Sequence, residues 1–452
     1  MMKKWMACAI ILLGLLLLFA ALWPNADSLY DLTGEEEWKG QAAGVVHWGI
    51  TAVRPQPRLA AEAAPSPPPS PFGMNTFLQQ EVEPQKREQT LQLLHEANIG
   101  FIRQEFTWED IEVHGKGDYI DRRNDPNGVD AWAKYDNIVQ LAAENDIQII
   151  ARLSNPPSWT RTLTDTIGSN APPDDFNDFG DFAAAVASRY ADNIRYFQLW
   201  NEPNGNEEWG KQDVNPEAYA DLLCIGYERI KAVNPDAVVL LGALTPTVAI
   251  NGRNLNELIY LQRLYDAGAG DCFDVLSAQG YGLWSGATDQ RLRSNVVNYP
   301  RHLFLRDMMV RNGDAAKPIW ISEMGWNSVP DDIPANFGRV TQEQQGKYGV
   351  EAYQRAQAEW PWIGMQNYWF LKRAGDGEKD QSWYYFHIME PDFTPLPAFD
   401  ALAAYATNGE QSPDQMMEWE RGWMRKRPFF FITSITILFF ALLHTLAPKN
   451  SG

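Results

Sequence analysis

Two glutamates in this chain each follow an apolar run that predicts a buried strand. Glu202 comes after residues 194–200 and Asn201, and Glu323 comes after residues 319–322. Splitting an acetal requires one carboxylic acid to protonate the leaving oxygen. It also requires a carboxylate that attacks, or activates water, on the opposite face of the sugar. Two glutamates at two strand ends can supply both groups, so the pair predicts cleavage of a glycosidic bond.

Eight short apolar runs alternate with helical patterns, which is typical of parallel βα units. The predicted strands span residues 72–76, 101–105, 147–153, 194–200, 237–243, 273–279, 318–322 and 363–369. Helix starts are readable between them, with Asn215 before Pro216 and a capping box at Thr341 and Gln344. The pattern predicts an α/β fold with a single (β/α)8 (TIM) barrel, whose catalytic groups lie at the carboxyl ends of the strands.

Glu202 follows the fourth predicted strand and Glu323 the seventh. Either residue alone could be a loop carboxylate or a helix cap. Taken together they are a stronger signal, because eightfold geometry places these two strands on facing sides of one pocket.

Two motifs surround these glutamates, Trp200-Asn201-Glu202-Pro203 and Ile321-Ser322-Glu323-Met324-Gly325. They resemble the strand-four and strand-seven signatures of clan A glycoside hydrolases, which include family 5 cellulases and mannanases and family 39 xylosidases and iduronidases. The resemblance covers residues 72–407 and implies a retaining mechanism, with Glu202 as acid/base and Glu323 as nucleophile. In retaining enzymes the two carboxyl groups lie about 5 to 5.5 Å apart.

The same resemblance implies supporting roles for other residues. Asn201 is expected to hydrogen-bond the sugar 2-hydroxyl, and Arg103 and Tyr281 to support the nucleophile. Trp369, at the end of the eighth strand, matches the aromatic floor beneath the sugar. A buried ion pair for Arg103, or core packing for the two aromatic residues, is the structural alternative. Gln279 stands where relatives often carry histidine, which leaves the family and the substrate open.

Four long segments are expected on the catalytic face, where loops set substrate choice. They span residues 107–134, 154–175, 282–296 and 371–396. Each carries one tryptophan of the set Trp108, Trp159, Trp284 and Trp383. Flat apolar rings suit sugar faces, so we expect two of the four to contact sugar.

Both ends of the chain carry long apolar runs. Residues 5–23 hold no charge and follow Lys3 and Lys4, which fits a membrane anchor or a signal peptide; the flank after Leu22 favours the anchor. Residues 428–448 predict a second transmembrane helix. The predicted organisation is a cytoplasmic N-terminus (1–4), anchor (5–23), juxtamembrane segment (24–53), Pro-rich linker (54–71), barrel (72–407), linker (408–427), transmembrane helix (428–448) and tail (449–452).

The basic residues that flank the two apolar segments do not decide the orientation of the protein in the membrane. With a cytoplasmic N-terminus, three flanking basic residues lie inside and five lie outside, which mildly disfavours an external barrel. Large domains translocate largely regardless of charge. We therefore expect a protein of the cell membrane with an extracellular catalytic domain.

Charge and composition exclude several other classes. The net charge of -20 argues against nucleic acid or anionic lipid as a partner. Six scattered histidines predict no metal site, and no cofactor is expected. Cys224 and Cys272 are expected to be buried thiols rather than a disulfide.

The main hypothesis is a β-glycosidase, similar to cellulases or xylosidases, that hydrolyses O-glycosidic bonds of a poly- or oligosaccharide with retention. A non-catalytic glycan-binding barrel is one alternative, since fold does not fix function. A transglycosidase that remodels a surface polysaccharide is the other. The sequence leaves the sugar, the linkage and the choice between internal and terminal attack open.

Overall fold

The computed structural model describes residues 27–60, 67–163, 168 and 170–409. The predicted membrane segments, residues 5–23 and 428–448, lie outside these described residues. Within the described part of the chain, no helix is both long enough and apolar enough to cross a bilayer.

Eight parallel strands form the wall of a barrel. They are β1 Phe72–Thr76, β2 Phe101–Thr107, β3 Gln148–Ser154, β4 Tyr196–Asn201, β5 Val238–Ala243, β6 Leu276–Tyr281, β7 Ile319–Gly325 and β8 Ile363–Tyr368. Their order in space is β5-β4-β3-β2-β1-β8-β7-β6. Two isolated parallel bridges, Leu240 with Val275 and Leu244 with Ala278, join β5 to β6. The barrel is therefore nearly closed, which confirms the predicted (β/α)8 architecture.

Eleven α-helices are assigned within the described residues. They are α1 Asp27–Thr33, α2 Trp38–Ala52, α3 Pro84–Glu96, α4 Trp108–Ile111, α5 Ala133–Glu144, α6 Phe176–Arg189, α7 Pro216–Val233, α8 Glu257–Asp266, α9 His302–Arg311, α10 Gln342–Glu359 and α11 Pro397–Asn408. A short antiparallel hairpin, Ile120–Asp121 with Val129–Asp130, lies in the segment after β2.

The predicted helix starts are confirmed. The Asn215 side chain accepts a hydrogen bond from the Ala218 backbone at 3.1 Å, with Pro216 at the first helical position of α7. At α10, Thr341 and Gln344 bond each other's backbone N–H groups reciprocally. These caps satisfy donors that a helix leaves free at its N-terminus.

Apolar side chains fill the barrel interior near the amino ends of the strands, and polar side chains occupy the next inward positions toward the carboxyl ends. The buried layer is made by Phe101, Ile150, Tyr196, Leu240, Val275, Trp320 and Met365. Side chains two residues apart on a strand point to the same face. The next inward positions on β2 and β4 are therefore Arg103 and Gln198, both buried. This change of polarity marks where the core ends and the site begins.

The end of β7 differs from the sequence prediction. Glu323 was expected just after a strand ending at Ser322, but β7 continues to Gly325. The strand extends because Glu323 pairs with Gln279 and Gly325 with Tyr281 on β6. Glu323 is thus held by a strand backbone, whereas Glu202 is the first residue after β4.

The expectation of two buried thiols is wrong, because Cys224 and Cys272 form a disulfide. Cys224 lies in α7 and Cys272 ends the 3-10 turn Ala269–Cys272. The two residues are 48 positions apart, with Cα atoms 4.8 Å from each other. Only the return of the chain past β5 and α8 brings this turn beside α7, so local sequence carries no sign of the pairing.

Residues 27–60 lie on the barrel. Within the predicted juxtamembrane segment, the stretch 45–53 belongs to helix α2 and the turn after it. Tyr30 and Glu36 hydrogen-bond side chains of α10. In the segment predicted as linker, the Arg58 backbone N–H donates to Asp307 of α9 at 2.7 Å. The N-terminal segment therefore has a defined place against the described barrel.

Candidate active site

Glu202 is positioned by a sharp turn at the top of β4. Its backbone N–H donates to the Ala243 carbonyl of β5 at 2.8 Å, so the turn stays attached to the barrel wall. Its φ of 40° lies in the left-handed region, which non-glycine residues rarely adopt. Residues held in such backbone conformations cluster at active sites.

Glu323 is buried and receives several donors. Its side chain accepts from Arg103 Nη1 at 2.8 Å and from the Tyr281 hydroxyl at 2.7 Å. Gln279 Nε2 donates to the same carboxylate at 3.0 Å. Only 3% of Glu323 is exposed. One cation and two neutral donors thus replace the water that the carboxylate has lost.

Gln279 connects the two glutamates. Its Nε2 atom lies 2.5 Å from Glu202 Oε1 and 3.0 Å from Glu323 Oε2. These two oxygens can be no farther apart than the sum of the two distances, about 5.5 Å. A register shift between β6 and β7 at this level sets Gln279 opposite Glu323. The amide therefore holds the carboxyl groups of strands four and seven together.

The environment keeps Glu202 protonated at neutral pH. Burial, followed by the charges of Glu323 and Glu208, raises its pKa to about 8. The hydrogen bond from Gln279 acts in the opposite direction. A carboxyl group that holds its proton stands beside one that is paired with Arg103. This asymmetry is what distinguishes a general acid from a nucleophile.

Arg103 is fixed by hydrogen bonds along its whole guanidinium group. It donates to Gln198 at 2.6 Å, to Asn75 at 3.0 Å and to Asn201 at 2.7 Å, besides Glu323. Burial lowers its pKa, and the Glu323 charge opposes that shift. Four strands, β1, β2, β4 and β7, therefore orient one cation beneath the nucleophile candidate.

The other predicted residues meet at the same end of the barrel. Asn201 ends β4 and Tyr281 ends β6, and both are joined to the Arg103–Glu323 pair by hydrogen bonds. Trp369 is the residue after β8; its N–H donates to the Met324 carbonyl at 2.7 Å. The peptide bond that follows Trp369 is cis. The structure thus brings together all six residues predicted for the centre of the site.

The four tryptophans that were candidates for contacting sugar differ in how much of each side chain is exposed. Trp108 has no exposed surface and stacks on Phe182 with ring centroids 5.0 Å apart, so it belongs to the core and cannot contact sugar. Trp159 is partly buried and packs edge-on against Trp108. Trp284 is 63% exposed and Trp383 is 41% exposed. These last two are the open candidates for stacking on sugar.

A second polar layer beside the glutamates was not predicted from the sequence. Arg152 of β3 forms an ion pair of 2.5 Å with Glu105 of β2. Glu208, in the turn after β4, has its pKa raised to about 7 by burial, against the opposing charge of Arg152. Asn75 and Gln198 were not predicted as site residues either. Gln279 was noted only because relatives often carry histidine at its position. The available signal was a polar residue at an inward position of an otherwise apolar strand.

Among the described residues, no group of three or more His, Cys, Asp or Glu side chains is arranged so that it could hold a metal ion. The polar groups that converge at this end of the barrel are carboxylates, amides and arginines, which hydrogen-bond or ion-pair with one another.

Comparison with known proteins connects this chain to a family of carbohydrate-cleaving enzymes. Residues 61–335 match the cellulase family, glycosyl hydrolase family 5. No match was found among curated protein sequences.

Similar solved structures share the barrel. A family 39 glycoside hydrolase from Bacteroides cellulosilyticus superposes with a TM-score of 0.55 at 20% identity, over 79% of this chain and 66% of that one. A monomeric β-xylosidase from Caulobacter crescentus gives 0.53 at 18%, over 76% and 70%. A family 5 enzyme variant from Streptomyces cattleya, solved with Manβ1-4GlcNAc, gives 0.53 at 15%, over 76% and 82%. At these identities the likeness concerns the fold alone.

Proposed function

Because the chain belongs to the cellulase family, glycosyl hydrolase family 5, we propose that it hydrolyses O-glycosidic bonds of a β-linked oligo- or polysaccharide with retention at the anomeric carbon. One observation carries the proposal. A single amide nitrogen contacts both glutamates, which limits their nearest oxygens to about 5.5 Å. That separation favours retention, since inverting enzymes need about 6.5 to 9.5 Å to admit a water molecule.

In the first step Glu202 acts as the acid. Its carboxyl proton passes to the glycosidic oxygen while Glu323 attacks the anomeric carbon, and the leaving sugar departs as an alcohol. A covalent ester between Glu323 and the sugar results. In the second step the Glu202 carboxylate takes a proton from water, whose oxygen attacks the same carbon and releases Glu323. The raised pKa of Glu202 suits the first step.

Neighbouring residues support each step in this mechanism. Arg103 and Tyr281 orient the attacking carboxylate and stabilise its charge through their hydrogen bonds. Asn201, held by Arg103, is the proposed partner of the sugar 2-hydroxyl. Trp369 is the proposed aromatic floor of the subsite that holds the cleaved sugar.

A panel of nitrophenyl β-glycosides tests the proposal. It should include the glucoside, the mannoside and the xyloside. Of the proteins with a similar fold, one is a β-xylosidase and another was solved with a mannose-containing ligand. We expect turnover by the unaltered chain, and its loss in both Glu202→Gln and Glu323→Ala. Glu207→Gln is the matched control, because Glu207 is an exposed glutamate in the turn that follows Glu202. Binding without turnover would indicate a glycan-binding barrel, and products that grow with added acceptor sugar would indicate a transglycosidase.

We also propose that the barrel faces an oxidising compartment, anchored by residues 5–23 and 428–448. The disulfide between Cys224 and Cys272 supports this location, since such bonds persist outside the reducing cytosol. Protease treatment of intact cells should then remove the barrel. Digestion only after the membrane is opened would place the barrel inside.

A further inference from the structure

The active-site segment after β6 has little regular structure of its own. Residues 282–296 form turns and extended backbone without helix or strand. They follow Tyr281, whose hydroxyl donates to Glu323, and they carry the exposed Trp284. Backbone groups of such a segment need partners from elsewhere. In this chain, many of those partners come from far away in the sequence.

Residues 30–36, here called the N-terminal strap, pair with this loop. The Gly286 N–H donates to the Gly34 carbonyl at 2.7 Å, and the Gln290 N–H donates to the Leu32 carbonyl at 3.0 Å. The Thr288 hydroxyl donates to the Tyr30 carbonyl at 3.0 Å. Carbonyls at three alternate strap positions thus bind three alternate loop residues.

Charged side chains fix the same contact. Arg291 of the loop is 95% buried and donates both to Asp289 and to Glu35 of the strap, at 2.8 Å in the latter case. Glu36 accepts from Lys347 and from the Tyr348 hydroxyl, both at 3.1 Å. The strap therefore joins the loop to helix α10.

The strap and the loop approach each other so closely that two positions, Gly34 and Gly286, have no room for a larger residue. Gly34 has a φ of 64°, and a Cβ added there would lie 2.7 Å from the Gly286 carbonyl oxygen. A Cβ on Gly286 would lie 2.6 Å from the Tyr30 hydroxyl. The contact depends on glycine on both sides, so it is specific to these two segments.

We propose that the N-terminal strap is a positioning element for the substrate loop, residues 282–296, and through that loop sets the affinity for sugar units beyond the cleaved one. The proposal rests on the glycosidase function proposed above. The strap acts by holding loop residues and touches no reacting atom itself. The functional barrel unit then includes residues 30–36, well before β1.

Glu35→Gln in the full chain tests the proposal, with the exposed Glu37→Gln as its matched control. Hydrogen exchange should rise in residues 282–296 of the Glu35 variant and stay unchanged in helix α6. The KM for cellohexaose should rise about fivefold, while kcat for a nitrophenyl glycoside changes by less than about twofold. Unchanged exchange in the loop would overturn the proposal. So would faster exchange with unchanged KM for cellohexaose.

The two proposals fail in different ways. If the unaltered chain turns over no glycoside, the glycosidase function is wrong, and loop exchange still decides whether the strap orders the loop. If the chain is active but Glu35→Gln and Glu37→Gln behave alike, only the strap is wrong. Gly34→Ala, which should open the same contact through backbone strain, gives an independent second variant.

Discussion

Arg103 and Glu323 form an ion pair of 2.8 Å in which only 2% and 4% of the two side chains are exposed. Burial of two charges is costly, so a pair of this kind depends on complete hydrogen bonding around both partners. Gln198, Asn75 and Asn201 supply that bonding to the arginine. The pair therefore links the stability of the barrel to the reactivity of its nucleophile candidate.

Replacing Arg103 with methionine should damage both properties. The uncompensated buried carboxylate should lower the free energy of unfolding by about 3 to 5 kcal/mol, and glycoside turnover should be lost. Arg103→Lys keeps the charge but not the planar donor set, so it should recover only part of either loss. Urea unfolding and kcat/KM measure the two effects.

The matched control for this prediction is Arg229→Met. Arg229 pairs with Asp181 at 2.8 Å, but 46% and 37% of those side chains are exposed. Surface pairs contribute about 1 kcal/mol or less. An Arg103 variant as mild as the Arg229 variant would contradict the role given to the buried pair.

The activity should depend on pH through Glu202. Its carboxyl group must be protonated for the first step, and its pKa is about 8. We therefore expect kcat/KM to be retained up to this pH and to fall about tenfold for each further unit of pH. A fall that begins near pH 5 would contradict the assignment of Glu202 as an acid with a raised pKa.

Stability should also change with pH at this residue, in the direction opposite to that of a salt-bridged carboxylate. The folded-state pKa of about 8 lies above the ordinary value of 4.5, so the folded chain holds a proton that the unfolded chain has lost. The contribution of Glu202 to stability is therefore lost progressively as pH rises from 4.5 to 8. Glu202→Gln should have a higher Tm than the unaltered chain at pH 8 and a similar Tm at pH 4.

Gln279 should tune the acid. Its N–H group lowers the pKa of Glu202, so Gln279→Leu should move the alkaline limb of kcat/KM to higher pH while reducing kcat. Ser277→Ala is the control, because Ser277 lies two residues earlier on β6 and is fully buried, and its hydroxyl has no hydrogen-bond partner among the described residues. Identical pH profiles for the two variants would show that the amide has no such influence.

The disulfide should contribute to stability without affecting catalysis. Cross-linking residues 48 positions apart restricts the unfolded chain, which typically contributes about 2 to 4 kcal/mol. Cys224→Ser with Cys272→Ser should lower Tm and leave kcat unchanged, because α7 and the turn lie on the outside of the barrel. Equal Tm values with and without a reductant would contradict the bond.

The barrel and the centre of the site were predictable from the amino-acid sequence. Apolar runs in βα alternation specify parallel strands, because each strand must bury one face under helices and the other inside the barrel. Motifs at strand ends then locate Glu202 and Glu323, since the carboxyl ends of barrel strands share one face. Arg103, Tyr281 and Trp369 followed from the resemblance to clan A glycoside hydrolases rather than from the strand pattern.

The contacts between distant segments could not be predicted from local sequence, because they depend on the folded arrangement of the strands and helices. The register shift that sets Gln279 opposite Glu323, the ion pair of Arg152 with Glu105, and the Cys224–Cys272 bond all depend on which strands become neighbours. The N-terminal strap is the clearest case, because residues 30–36 bind a loop some 250 positions away. Local sequence encodes the direction and polarity of each segment, whereas burial and pairing across the fold decide which polar groups meet.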